Sequence, residues 1–227
     1  MISTLQITLY SLIPFFAALL GSFIGALYLP QQKIVSALQH FVAGVLIAAV
    51  STELLPKVLN HTSHLTVSLG FVIGVIFMLV VEEFAHSIAK KRVGGLITGA
   101  SVDLFVDGFL IGISFLAGAQ SGLTIALSLS LCAFFLSLTV SNALKQRGLN
   151  RFLPLLFIAC MLPLGAFLGG AFALKLPPII LLETITFGVA ALLYLGIEEL
   201  LAEAHKKEES VWISATFFLG FFIVFVL

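Results

Sequence analysis

Charge is scarce in this sequence. Asp, Glu, Lys and Arg make up 10% of the 227 residues, against 60% apolar side chains and a mean hydropathy of +1.20. That excludes an ordinary soluble domain, in which about 25% of residues are charged. Cysteine is scarcer still. Cys132 and Cys160 both lie inside apolar runs, so there is no disulfide framework and no CxxC metal pair, and each reads most simply as a small packing residue. No cluster of Lys and Arg is large enough for a nucleic-acid surface, and no loop is long enough for a soluble domain. HExxH is absent, no Ser/His/Asp set is evident, and the arginine-bearing signature of phosphatidyl-group transferases is missing. These absences argue against a membrane enzyme. The first apolar run follows no basic n-region and has no small-residue cleavage site, so it reads as a first span rather than a removable signal.

What is present is a series of apolar runs of about 20 residues without dyad alternation. Such runs satisfy their own backbone in lipid as helices rather than as barrel strands. Polar breaks at PQQK (30–33), NHTSH (60–64), KKR (90–92), AGAQSG (117–122), KQRGLNR (145–151), KLPP (175–178) and HKKEES (205–210) divide the chain into eight spans. The expected fold is therefore an all-α polytopic membrane protein, a single transmembrane domain over residues 1–227. Alternate loops carry Lys33; Lys90, Lys91 and Arg92; Lys145, Arg147 and Arg151; and Lys206 and Lys207, while the opposite side has only Lys57 and Lys175. The positive-inside rule then places both termini outside. The compact chain is expected in a bacterial inner (plasma) membrane.

An internal repeat accompanies the spans. AALLGSFIGAL (17–27) resembles GAFLGGAFAL (165–174), and GVLIAAVSTELLPK (44–57) resembles AALLYLGIEELLAE (190–203). Gly21 and Glu53 are separated by 32 residues, Gly169 and Glu199 by 30. The paired spans cross in opposite senses, so spans 1–3 and 6–8 are expected to form an inverted repeat, the architecture of many secondary transporters.

The acids are placed unusually. Of the 11 Asp and Glu residues, all but Glu208 and Glu209 lie in spans or at their ends. An ionisable group inside lipid costs about 2.5–3.5 kcal/mol even on the milder insertion scale, so it normally faces a cavity or a partner. Asp103 and Asp107, in SVDLFVDGFLIG (101–112), stand i and i+4 near the centre of the fourth span and point the same way. Two like charges there repel, and no basic residue lies at that depth. A bound metal ion or a shared proton accounts for them, and protonated aspartates hydrogen-bonded to neighbouring helices are the rival account. A second cluster ends the third and seventh spans: Glu82, Glu83 and His86, then Glu198, Glu199, Glu203 and His205. Carboxylates interleaved with imidazoles make a transition-metal ligand set, and a solvated helix end is the alternative. Glu53, followed by Pro56 and by His61 and His64 in the next loop, is expected to mark an outer vestibule.

LLYLGIEELLAEAH (192–205) resembles the seventh-span motif of the ZIP family of divalent metal transporters, an aromatic followed by paired acids and a Pro-Glu-Ala-His ending, with Ala202 in place of that Pro. FVAGVLIAAVSTELLP (41–56) is similar to the family's second span and LPLGAFLGG (162–170) to its sixth. The fourth-span His-Asn-x-Pro-Glu-Gly aligns with GASVDLFVDGFLIGISF (99–115) and places Asp103 at the His, Leu104 at the Asn, Val106 at the Pro and Asp107 at the Glu. In the fifth span the polar residue, Pro and Glu of the family fall on Cys132, Phe135 and Leu136, and no acid remains there.

The resemblance implies eight spans with both termini outside. It also implies transport of a divalent cation of the Zn/Fe/Mn class toward the cytoplasm through a reduced midplane site on Asp103 and Asp107, with Cys132 or Glu53 near it. The missing fifth-span Glu favours a second reading, a non-transporting membrane metal sensor or interaction partner. The metal ion is substrate and no organic cofactor is expected. The expected partners are the lipid bilayer and divalent metal ions, with a homodimer left open and no nucleic acid.

Overall fold

The computed structural model describes residues 3–28, 31–59, 64–89, 93–148, 150, 152–205 and 211–226, and every regular element among them is helical. The first apolar run forms α1 (Thr4–Tyr10), opened by a Ser3/Gln6 capping box, and α2 (Leu12–Leu27), with only Ser11 between them. Pro14 explains that break, since it has no N–H for the Tyr10 carbonyl and its ring crowds that oxygen. α3 (Gln32–Ala49) runs into a π-helical turn (Val50–Leu54) and then α4 (Leu55–Leu59). Next come α5 (His64–Ala89) and α6 (Val93–Ser114), which ends in a short 3₁₀ turn (Phe115–Ala117). Gly118, at φ +129°, reverses the chain into α7 (Ala119–Gln146). After α8 (Phe152–Ala173), α9 (Pro178–Tyr194) continues through a second π-helical turn (Leu195–Leu201) into α10 (Ala202–Ala204), and α11 (Val211–Val226) follows.

Seven of these stretches are long and apolar enough to cross a membrane. The eighth, α11, has 16 residues, about 24 Å at 1.5 Å per residue, less than a hydrocarbon core of about 30 Å. The outer surface is as apolar as the spans require: Phe16, Leu20, Phe23, Phe84 and Phe222 are all exposed. A monomer in water rarely presents such patches. The architecture is that of an integral membrane protein.

The helices pack as two compact units, each drawn from both halves of the chain. One holds α1, α2, the end of α5, and α6 to α8. Its closest pairs are α2 with α7 and α6 with α8. A Cβ at Gly21 or Gly25 would stand against the backbone carbonyl of Phe134 or Leu138, and one at Gly165 or Gly169 against that of Phe105 or Phe109. Gly108 answers from α6 against the Leu162 carbonyl. Ser141 Oγ donates to the Ser22 carbonyl at 2.7 Å and Lys145 Nζ to the Ala26 carbonyl at 2.8 Å, which adds polar ties between α7 and α2.

The other unit holds α3, α4, most of α5, and α9 to α11. Here α3 pairs with α11, with Gly44 against Phe217 and Gly220 against Phe41, while Gly70 and Gly74 of α5 lie against Glu183 and Phe187 of α9. Thr216 Oγ1 donates across to the Ala37 carbonyl at 2.7 Å, and Ser36 Oγ to the Ala204 carbonyl at 3.2 Å. Both units use one device: small residues bring backbones into contact where lipid supplies no hydrophobic drive between helices.

Two glycines of α6 make this testable. Gly108→Ala is expected to lower the thermal midpoint of the detergent-purified protein, since overpacking of this kind costs about 1–3 kcal/mol. Gly99→Ala, where an added methyl would meet nothing within 4 Å, is expected to leave the midpoint unchanged or raise it slightly. Fluorescence-detected size-exclusion after heating reads both, and an equal response from the two would refute the close-contact explanation.

Candidate functional site

Asp103 and Asp107 owe their position to an unbroken helix. No proline lies within α6, and its backbone ladder continues past Val106. Gly108 and Gly165 fix the side of α6 that meets α8. At 3.6 residues per turn, the two aspartates then lie on the side turned away from α8. Asp107 is 3% exposed, and Asp103 is half-buried. Residues 93–144 contain no Lys or Arg, so neutralisation of this pair within α6 and α7 falls to protons, hydrogen bonds or a bound cation.

α7, which packs beside α6, brings hydroxyls and a thiol rather than acids. Cys132 is buried with Sγ 3.8 Å from the Ser128 carbonyl oxygen, and Ser128 and Ser130 donate to the carbonyls of Thr124 and Ala126 at 2.9 and 2.7 Å. These i−4 bonds hold the hydroxyl protons on their own helix and leave oxygen lone pairs. The buried serines of α7 were not singled out from the sequence. Their signal was a recurrence of Ser within an otherwise apolar span.

Glu53 belongs to the other unit and lies, partly buried, inside the Val50–Leu54 π turn. Glu198 and Glu199 lie inside the Leu195–Leu201 π turn, the first exposed and the second partly buried. The Val50–Leu54 turn packs against α9, and the Leu195–Leu201 turn against α3. A π turn inserts a residue into the helical repeat and so re-aims the side chains around it, which is why such turns gather at functional positions. These turns could not be read from the sequence, although both occupy the segments that resemble one another, 44–57 and 190–203.

The second unit also contains a contact that sequence reasoning missed. His40, 1% exposed on α3, meets His205 with ring centroids 5.0 Å apart at a steep angle. Each ring places Nδ1 at a carbonyl one turn back, His40 at Ser36 (2.9 Å) and His205 at Leu201 (2.7 Å). The only signal for His40 was a histidine inside an apolar run.

Glu82 and Glu83 are exposed near the end of α5 in the first unit, whereas Glu198, Glu199 and His205 are in the second. The side chains of His86 and Glu203, and all of His61, lie outside the described residues. Among the described residues no three His, Cys, Asp or Glu side chains converge to hold a metal ion. The structure thus places Asp103, Asp107 and Cys132 on adjacent helices of one unit without closing them into a complete ligand cage. No protein-family model matches the chain, and no curated protein matches it.

If Asp103 is kept for chemistry rather than for packing, its removal relieves the protein of a half-buried carboxyl inside a span. Asp103→Leu is therefore expected to raise the thermal midpoint in detergent, since the acid costs on the order of 2.5–3.5 kcal/mol at mid-membrane. A lowered midpoint would identify Asp103 as a structural hydrogen-bonding group.

Proposed function

We propose that this protein is a ZIP-like carrier that moves a divalent cation of the Zn/Fe/Mn class across a membrane toward the cytoplasm, with Asp103 and Asp107 as its midplane ligands. The observation that carries this reading is the pair itself: two carboxyls, one turn apart, on a side of α6 free of the α8 contact, in a segment with no cation. Oxygen ligands of this kind replace part of the water shell of a divalent ion. The serine oxygens and Cys132 of α7 are further donors on the neighbouring helix.

The pattern of helix pairs supports the inverted repeat. Exchange of span 1 with 6, 2 with 7, 3 with 8 and 4 with 5 converts the α2–α7 pair into the α8–α6 pair and the α3–α11 pair into the α9–α5 pair. It also exchanges the two π turns and their glutamates, each packed on the other's helix. Inverted repeats of this kind commonly alternate access around a midplane site. The loop cations orient both termini outward, and a bacterial plasma membrane suits so compact a chain. Glu53 would then lie on the outer side, and Glu82, Glu83, Glu198, Glu199 and His205 on the cytoplasmic side. The carrier reading invokes no covalent chemistry.

One observation favours a second reading. α7 carries no acid, so a membrane metal sensor or interaction partner that binds without conducting remains the rival. Uptake of Zn²⁺, Fe²⁺ and Mn²⁺ into proteoliposomes separates the two. Saturable uptake is expected, falling at least on the order of tenfold in the Asp103→Ala, Asp107→Ala double variant, a loss that even outer-shell substitutions reach. Metal binding without uptake would replace the carrier by the sensor.

A further inference from the structure

Between α2, the α7–α8 turn and the start of α8 lies a groove of about 500 Å³, within the range of small-ligand pockets. Its walls are apolar, from Leu19, Phe23, Phe152, Leu155 and Leu156. Phe23 and Phe152 are strongly exposed, so the groove opens sideways onto the surface that faces lipid.

Its rim differs from its walls. Lys145 donates through Nζ to the carbonyl of Ala26, itself a lining residue, at 2.8 Å, which anchors an ammonium group at the edge of the groove. That bond uses one of three donors. Arg147, exposed, follows two residues later, and residues 145–151 hold Lys145, Arg147 and Arg151 with no acid. Gly148, at φ +67°, turns the backbone in a conformation that favours glycine, and the chain returns so that Asn150 lines the groove. Asn150 Oδ1 accepts from the Phe152 N–H at 3.2 Å, which leaves its amide N–H₂ as a donor.

Deeper in the groove, Ser22 lines the wall, 7% exposed, and its Oγ has no hydrogen-bond partner among the described residues. Its backbone carbonyl is taken by Ser141. That oxygen is itself buried, with almost none of its surface open to the groove, so Ser22 gives the wall small bulk rather than a donor. Ser22 sits one helical turn, about 6 Å, below Ala26 and the Lys145 ammonium.

We propose that this groove is a binding site for an anionic membrane phospholipid. The acyl chain fills the apolar trough, and the headgroup phosphate lies among Lys145, Arg147 and the Asn150 amide. Each part of the ligand is required by a different observation. The trough excludes a free inorganic anion, the cations exclude a neutral lipid, and the sideways opening admits a ligand that arrives in the plane of the bilayer. Basic pockets between spans on the cytoplasmic side recognise anionic headgroups in this manner. The site is confined to one packing unit and does not depend on metal transport.

The test is native mass spectrometry of the full-length protein in detergent, titrated with dioleoyl phosphatidylglycerol and, separately, with dioleoyl phosphatidylcholine. The anionic phosphatidylglycerol is expected to be retained on the order of tenfold more tightly, with about a fivefold loss for each cation removed in Lys145→Gln and Arg147→Gln. Leu19→Trp, which fills the trough, should displace both lipids. Each variant is first shown to keep the parent's thermal midpoint without lipid. Equal retention of the two lipids by the parent protein, or an unchanged preference in the Lys145→Gln, Arg147→Gln double variant, would overturn the proposal.

Discussion

Contact between helix backbones is the constraint on which the rest of this protein rests. In lipid, apolar side chains gain nothing by leaving their surroundings for one another, so helices hold together only where they come close enough for dispersion and for side-chain bonds to a neighbour's carbonyl. Glycines on α2, α6 and α8 in one unit, and on α3, α5 and α11 in the other, permit that approach. Ser141, Lys145, Thr216 and Ser36 then reach the carbonyls that the approach exposes. Every other feature, including the orientation of the aspartate pair, follows from which face of each helix these contacts occupy.

The aspartate pair illustrates the dependence. Gly108 stands beside Asp107 in sequence, and its contact with α8 sends the carboxyls to the other side of α6. A helix with its glycines one position later would have turned the α8 contact by about 100° toward the acids and brought them to its flank. The neighbouring α7 supplies serine oxygens and one buried thiol, a gentler polar surface than the acids it lacks. The same logic explains the groove beneath Lys145. α2 and α7 are drawn together at Gly21 and Gly25, and α8 begins only after the Gly148 turn, so a wedge of space is left beside Ser22.

Much of the fold was legible in advance because composition bears on solvent. Long apolar runs force helices in lipid, and polar breaks mark their ends, so the order of the helices emerged, seven of them long and apolar enough among the described residues to cross a membrane. The α1–α2 break at Ser11 is also a local matter, traceable to Pro14. The acids were conspicuous for the same reason, since charge is costly in such surroundings. The π turns at Glu53 and Glu198–Glu199 were not legible, because a π turn depends on packing that no local residue pattern specifies. The division into two units was equally hidden, since each unit combines segments far apart in the chain.

The sequence by itself determined a helical membrane architecture and the place of Asp103 and Asp107 within one of its apolar helices, because burial of apolar length and the cost of charge are properties of each segment alone. Only tertiary structure decided what those residues meet. It set His40 against His205, turned the aspartates away from α8, and left beside Ser22 a groove with the Lys145 ammonium at its edge. The physical reason is that a helix fixes the angle between its own side chains, whereas the direction in which the whole set points is chosen by the backbone contacts it makes with others.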